Sequence, residues 1–321
     1  GVRHVVVLSS AEVYGARPHN PGLIQEDQSR TYGASNGIAR AWSAIEEFFE
    51  TQLAEQPDTK VTLLRPAPCL FPDRRAYYSR FFKKSLAFTL AGHDPTMQLL
   101  HPDDLAQAII CAIEHSPGGI YNVAPDGVIP LRPALRMARI TRIPTPRWPQ
   151  RLIRWLAPRK WVSSIDQIDY IRYSWTVSNE KIKKELNFRP IHSSAETLSR
   201  YSNGYNDSTE DASPEKTPVA LEYDDLGLDR QYLNAYGRTL FKFLNDYYWR
   251  IEIRGTENIP REGRALLAGV HRGFMPLDGV MSMDLIVKHT GRYPRFLIHP
   301  TLIKFPFQFN FMTKIGGIIA C

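Results

Sequence analysis

Two segments, one near each end of the 321-residue chain, limit its fold more than anything between them. Val5–Gly15, V-V-V-L-S-S-A-E-V-Y-G, is an aliphatic run opening into a serine-bearing turn. Ala265–Gly279, A-L-L-A-G-V-H-R-G-F-M-P-L-D-G, is an aliphatic run opening into a histidine-bearing turn. Short aliphatic runs bounded by turn residues are expected of strands buried on both faces of a parallel sheet. The two turns carry different chemistries, so the expected organisation is two catalytic designs on one polypeptide. The length agrees, since one domain takes roughly 100–200 residues.

Between the ends the pattern alternates. Ala34–Gln52 is expected to be a helix with Ile38, Trp42, Ile45 and Phe49 along its buried stripe. Val61–Leu64 is a second short buried strand, halted by Pro66. Asp103–Glu114 is a helix with Leu105, Ala108, Ile109 and Ala112 inward, capped by Asp103 or Asp104, and Gly119–Val123 is a third strand. Strand, helix, strand, helix is the rhythm of an open α/β sheet. Ser193 with Glu196 forms a capping-box signature. The polar stretch Ser202–Pro218 has almost no aliphatic residue to bury and reads as a linker. The expected domains are therefore 1–201 and 221–321, joined by 202–220. In the second, Leu228–Tyr248 is helical and aromatic, Trp249, Ile251 and Ile253 alternate as a half-buried strand, and Ala265–Val270 is a buried strand leading to His271.

The net charge of +7 fits an anionic membrane, a phosphorylated substrate or simply a basic surface. No nucleic-acid motif accompanies it, and nucleic acid is not an expected partner. Cys69, Cys111 and Cys321 lie far apart, which argues against a disulfide framework or a zinc site and fits a reducing cytoplasm. No apolar run reaches the length of a membrane span. Pro146–Trp161 combines five cations with three tryptophans, as an interfacial helix would, although its prolines favour a solvated helix packing its Trp stripe on its own domain. The chain starts and stops within strand-like runs and reads as a fragment cut at both ends.

The ordered set L-S-S-A-E-V-Y-G (Leu8–Gly15), Y-G-A-S-N (Tyr32–Asn36), V-T-L-L-R-P (Val61–Pro66), L-L-H-P-D-D-L-A-Q-A (Leu99–Ala108), G-I-Y-N-V-A (Gly119–Ala124) and L-N-F-R-P (Leu186–Pro190) resembles the extended short-chain dehydrogenase/reductase family. That group includes nucleotide-sugar epimerases and dehydratases. The resemblance implies a partial Rossmann-like, doubly wound parallel sheet and NAD or NADP as cofactor. It assigns Ser10 to the substrate oxygen and Tyr32 to proton transfer. A tyrosine with a pKa near 10 needs a neighbouring cation to work at neutral pH. The family places a lysine where this chain has Asn36; Arg40 is the next cation along. No G-x-x-G-x-x-G dinucleotide loop occurs in the sequence, so the expected redox half is degenerate. His101 is expected to serve structure.

Trp249–Gly279, with Phe296–Pro306 and Thr313–Ala320, resembles the glycerolipid acyltransferase family. The resemblance implies a partial α/β acyltransferase domain transferring acyl groups from acyl-CoA or acyl-carrier protein to a lysolipid or glycerol-phosphate hydroxyl. His271 would be the base and Asp278 its orienter, separated by six residues where the family usually has four. Pro276 and Gly273 suggest a loop that folds Asp278 back on His271. Arg272 is a candidate for phosphate or carbonyl contact. The substrate class implies a peripheral protein on the inner face of the membrane, with Leu240–Trp249 and Phe305–Phe311 as candidate contacts or core. No metal is called for. The rival expectations are an NAD(P)-dependent epimerase, dehydratase or reductase using Ser10 and Tyr32, and a non-catalytic membrane scaffold.

Overall fold

The computed structural model describes residues 2–30, 37–54, 59–72, 76–115, 117–145, 168–204, 223–224, 226–270, 277–299 and 306–319. The chain divides into two compact units, Gly1–Leu221 and Glu222–Ala320. Most of the expected linker, from residue 205, and the basic Trp-rich segment 146–161 lie outside the described residues.

The first unit runs β1 (His4–Leu8), α1 (Gly37–Ala54), β2 (Lys60–Pro66), α2 (Tyr77–Phe81), β3 (Leu86–Leu90), β4 (Thr96–Met97), α3 (Pro102–His115), β5 (Gly119–Val123), β6 (Ile129–Pro130), α4 (Leu131–Met137), β7 (Thr141–Thr145), α5 (Glu180–Leu186) and α6 (Ser194–Asn203). Its main sheet is parallel, in the order β1-β2-β5. Successive side chains of a strand point to opposite faces. Leu64 of β2 accordingly packs with Leu105 and Ala108 of α3, whereas Arg65 reaches Glu46 of α1. Helices therefore cover both faces, and the unit is α/β. β3 with β7 and β4 with β6 form two small accessory pairs.

β1 is less enclosed than its sequence suggests. Val7 is buried but Leu8 is exposed, because β1 lies at the edge of the described sheet. β2 extends through Pro66, which still pairs with Val123. The capping box at Ser193 forms, with Ser193 and Glu196 each accepting the other's backbone N–H. The expected cap of α3 does not. His101 Nδ1 accepts the Asp103 N–H at 3.2 Å, and Asp104 turns away to accept the N–H groups of Ile191 and His192 at 2.9 and 3.0 Å. His101 stacks on His192 with ring centroids 4.0 Å apart, so this histidine is held by structure.

α1 departs most from expectation. Its inward face is Ala39, Ser43 and Glu46, with Trp42 and Phe49 half-buried, while Ile45 and Phe48 are exposed. The side chain of Ile38 lies outside the described residues. The helix is turned by a charge. Glu46 is fully buried and accepts Arg65 Nε at 2.9 Å and Nη2 at 2.6 Å, with Ser9 Oγ donating at 2.5 Å. A buried carboxylate is tolerable only when paired and hydrogen-bonded, so partner geometry outweighs the exposure of one isoleucine. The small Ala39 and Ser43 let the helix approach.

The second unit contains α7 (Arg230–Arg238), α8 (Leu240–Phe243), a π-helical turn (Leu244–Tyr248), α9 (Leu277–Thr290), β8 (Phe296–Ile298), α10 (Pro306–Lys314) and β9 (Gly317–Ile319). Asp229 caps α7 by accepting the Tyr232 N–H at 2.8 Å. Tyr232, Tyr236, Phe241 and Phe311 form an aromatic cluster between α7, α8 and α10. Gly237 is where α7 and α9 meet: a Cβ there would lie 2.6 Å from Asp284 Oδ1. Asp284 is buried and pairs with Lys288 at 2.6 Å.

Two expectations for this unit fail. Trp249–Ile253 is not a strand: Arg250 takes φ +50°, and the N–H groups of Trp249 and Ile251 fold back onto Leu244 and Asn245 carbonyls, ending the preceding helix. Ala265–Val270 is neither a strand nor buried. β8 and β9 pair with each other, no described strand reaches this run, and Leu266 and Val270 are 93% and 95% exposed. Phe305–Phe311, read as a candidate contact or core, lies mostly in α10, with Phe311 packed in the aromatic cluster and Phe307 exposed.

Breaking a buried pair by removing one partner leaves an uncompensated charge. Glu46→Ala is expected to lower the unfolding free energy by about 3–5 kcal/mol, read by denaturant titration. A change under about 1 kcal/mol would show that the pair does not organise α1.

Candidate functional site

The carboxyl ends of β1, β2 and β5 bring the polar groups of the first unit together. Ser9 follows β1, Arg65 is the penultimate residue of β2, and Asn122 is the penultimate residue of β5. Tyr14 Oη accepts from Arg65 Nη1 at 2.8 Å and donates to Asn122 Oδ1 at 2.8 Å. The Asn122 N–H meets Glu26 Oε1 at 2.9 Å, and Arg30 reaches Glu46 at 3.4 Å. This is a continuous charged network at the sheet edge where open α/β folds bind ligands.

Ser10 lies at the start of this edge. Its side chain accepts the Glu12 N–H at 3.2 Å and caps a 3-10 turn over Ala11–Tyr14, which Gly15 closes at φ +68°. Tyr32 and Asn36 lie outside the described residues, so the expected Ser10–Tyr32 pairing is not described. Arg40 is exposed on α1.

The turn carries a residue that sequence reading left in a structural role. Glu12 is pushed up to about 6 from 4.5 by burial, against a hydrogen bond from Trp42 that lowers it. Tyr77, Tyr78 and Tyr170 surround it. Burial, then the charge of Glu12, raises Tyr78 well above 10, and the Tyr170 hydroxyl donates to the Glu12 carbonyl at 3.1 Å. A carboxyl titrating near 6 exchanges protons readily at neutral pH, as a general acid or base must. The sequence signal was weak: one acid in a turn, without the aromatic walls that long-range folding supplies.

In the second unit, His271 and Arg272 lie outside the described residues. Asp278 is the second residue of α9, exposed, with Oδ1 accepting the Gly279 N–H at 2.9 Å. The positive end of the helix favours a carboxylate there. Two contacts missed from sequence fix the surroundings. Arg292 donates to the carbonyls of Pro260 and Gly263, clamping the G-T-E-N-I-P turn, and buried Asp284 holds Lys288 on α9. Among the described residues no group of three His, Cys, Asp or Glu side chains could hold a metal ion, and no helix is long and apolar enough to cross a membrane.

Residues 1–124 match the NAD dependent epimerase/dehydratase family, and residues 250–321 match the Acyltransferase family. An uncharacterized protein of Mycobacterium tuberculosis, Rv0501, is 29% identical over 205 residues, covering 63% of this chain and 54% of that protein. A second uncharacterized protein of that organism, Rv0502, is 34% identical over 100 residues, covering 30% of this chain and 28% of that protein. The chain thus spans about half the length of the first and less of the second. A solved structure described as MoeE5 in complex with UDP-glucuronic acid and NAD is 16% identical, with a TM-score of 0.49, over 65% of this chain and 67% of its own.

Folding linkage gives Glu12 a measurable signature. Its folded pKa is raised, so the stability tied to its proton is fully present below pH 4.5 and is lost as pH rises through 6. Glu12→Gln is expected to escape that loss, gaining about 2 kcal/mol on wild type between pH 4.5 and 7. Parallel stability–pH curves for the two proteins would remove the raised carboxyl.

Proposed function

We propose that this chain, with its epimerase/dehydratase segment at 1–124 and its acyltransferase segment at 250–321, is a two-part enzyme whose leading chemistry is acyl transfer to a lipid-type hydroxyl. The observation that carries this is Asp278 at the first turn of α9, a few residues beyond His271 in a segment matching the acyltransferases. The donor is an acyl thioester, acyl-CoA or acyl-carrier protein, and the acceptor is a lysolipid or glycerol phosphate. His271 takes the acceptor's hydroxyl proton as the oxygen attacks the thioester carbonyl. The tetrahedral intermediate then expels the thiolate, which recovers the proton from the imidazolium. Asp278 fixes the imidazole tautomer and steadies its cation. Such substrates put the protein at the inner face of a membrane, as a peripheral protein of phospholipid synthesis.

A second reading is favoured by Glu12. The first unit would act on a nucleotide sugar or lipid as an epimerase, dehydratase or reductase, with Ser10 and Tyr32 on the substrate oxygen and Glu12 exchanging a proton. NAD or NADP would be the cofactor of this reading, as the match of residues 1–124 to the NAD dependent epimerase/dehydratase family implies. Arg65, the buried cation of the edge, is already engaged by Glu46 and Tyr14.

Acyl transfer from labelled acyl-CoA to lysophosphatidic acid or glycerol 3-phosphate tests the first reading on the full chain. His271→Ala is expected to lower turnover about 10²–10⁴-fold, with Asp278→Asn losing less. Turnover untouched by His271→Ala ends this reading. Saturable NAD binding by calorimetry, with no acyl transfer, favours the second.

A further inference from the structure

The small parallel pair of β3 and β7 has two faces of opposite character. Phe88 and Ile143, paired across it, are exposed. On the other face Ala87 joins the core that includes Leu131 and Leu135 of α4. The register sets Ala87 opposite Arg142 and Thr89 opposite Pro144, so Thr89 and Arg142 share this inner face. Thr89 is 1% exposed, and its hydroxyl has no hydrogen-bond partner among the described residues. The buried Nη1 of Arg142 has none either, nor has the buried Nε of Arg132 on α4. Arg132 and Asp94 both act on Arg142. Burial, then the charge of Arg132, lowers the Arg142 pKa, and Asp94 opposes them. The Asp94 carboxylate is fully buried; it accepts the Arg132 N–H at 2.8 Å and stands 3.8 Å from Arg132 Nε, beyond hydrogen-bond length.

Buried polar groups are nearly always partnered, and each one left open calls for a ligand, an ion or a water. Two features select among these. Guanidinium N–H groups only donate, so whatever fills the notch must accept. Two guanidinium groups also face one carboxylate, a surplus of one positive charge, and Asp94 anchors Arg132 without neutralising both. A water satisfies the donors but leaves the charge. The neighbouring sequence adds no acid: from Gly127 to Ile165 the chain carries arginine and lysine but no Asp or Glu. A tetrahedral oxyanion meets both requirements, since its oxygens accept guanidinium N–H groups and a hydroxyl together and its charge offsets the surplus. The side chain of Arg132 is 35% exposed, which gives such an anion a way in.

We infer that Thr89, Arg132 and Arg142 form an anion site for a phosphoryl group, carried as free phosphate or as the phosphomonoester of a small molecule. The site uses none of the residues of either proposed reaction and holds or fails independently of both. The test is the thermal midpoint of the full chain, titrated with inorganic phosphate, glucose 1-phosphate or acetate at constant ionic strength. Phosphate is expected to raise the midpoint saturably, by about 3–6 °C once it exceeds its Kd roughly tenfold, and acetate is expected to leave it unchanged. A tighter response to glucose 1-phosphate identifies a phosphomonoester as the ligand; a response to inorganic phosphate alone identifies the free ion. Arg142→Gln is expected to weaken phosphate binding at least about tenfold. Thr89→Val keeps the side-chain shape and is expected to weaken it about threefold to tenfold, with a midpoint in the absence of phosphate no lower than that of wild type. Should Arg142→Gln fail to fold, Thr89→Val decides. The inference is overturned if phosphate leaves the wild-type midpoint unmoved, in which case water alone fills the notch. It is equally overturned if acetate acts as phosphate does, or if the deciding variant responds to phosphate as wild type does.

Discussion

The first unit is organised around one ion pair. Arg65 stands on the middle strand of the parallel sheet, and Glu46 reaches it from the helix covering one face. Two charges removed from water lose several kcal/mol of hydration each, and only close, fully hydrogen-bonded pairing offsets that loss. The offset here comes from three directions: two guanidinium nitrogens on Glu46, the Ser9 hydroxyl from the end of β1, and Tyr14 on the remaining side of Arg65. Tyr14 in turn meets Asn122 at the end of β5. The pair thus fixes the rotation of α1, the stagger of three strand ends and the direction of the turn carrying Ser10 and Glu12. Glu12 is largely buried because that turn is folded down against Trp42 and the tyrosines, and its raised proton affinity is a downstream effect of the same packing.

How much of this was legible in the sequence depended on how local its cause is. β2, β5 and α3 were legible because an aliphatic run or a helical stripe reports its own burial; β1 was legible as a strand, though its burial was overread. The capping box at Ser193 was legible because both partners lie within four residues. The inward face of α1 was not, because Glu46 is buried by an arginine 19 residues away and apolar periodicity has no way to register a paired charge. Trp249, Ile251 and Ile253 alternate as a strand should, yet one positive φ at Arg250 converts them into the close of a helix. Ala265–Val270 has the composition of a core strand, but composition does not supply a partner to pair with.

The positions of the candidate residues were legible in part, and their surroundings were not. Ser10 caps a turn after β1, and Asp278 stands in the first turn of α9. Glu12 was passed over because its distinctive property is environmental: burial raises its proton affinity against the hydrogen bond from Trp42, and no spacing rule in the sequence reports that burial. Arg292 was passed over for a similar reason, since its role is to hold the carbonyls of Pro260 and Gly263 across about thirty residues of chain.

The crowding at Gly237 has a mechanical corollary. With no side chain at that position, α7 lies flush against Asp284, and Lys288 spans from that acid to the Gly237 carbonyl. α9 is thereby bolted at its middle and final turns, and Val280 and Met281 bury its opening half. Any side chain at Gly237 would have to push the Asp284 carboxylate aside, and with it the Lys288 contact that ties the two helices.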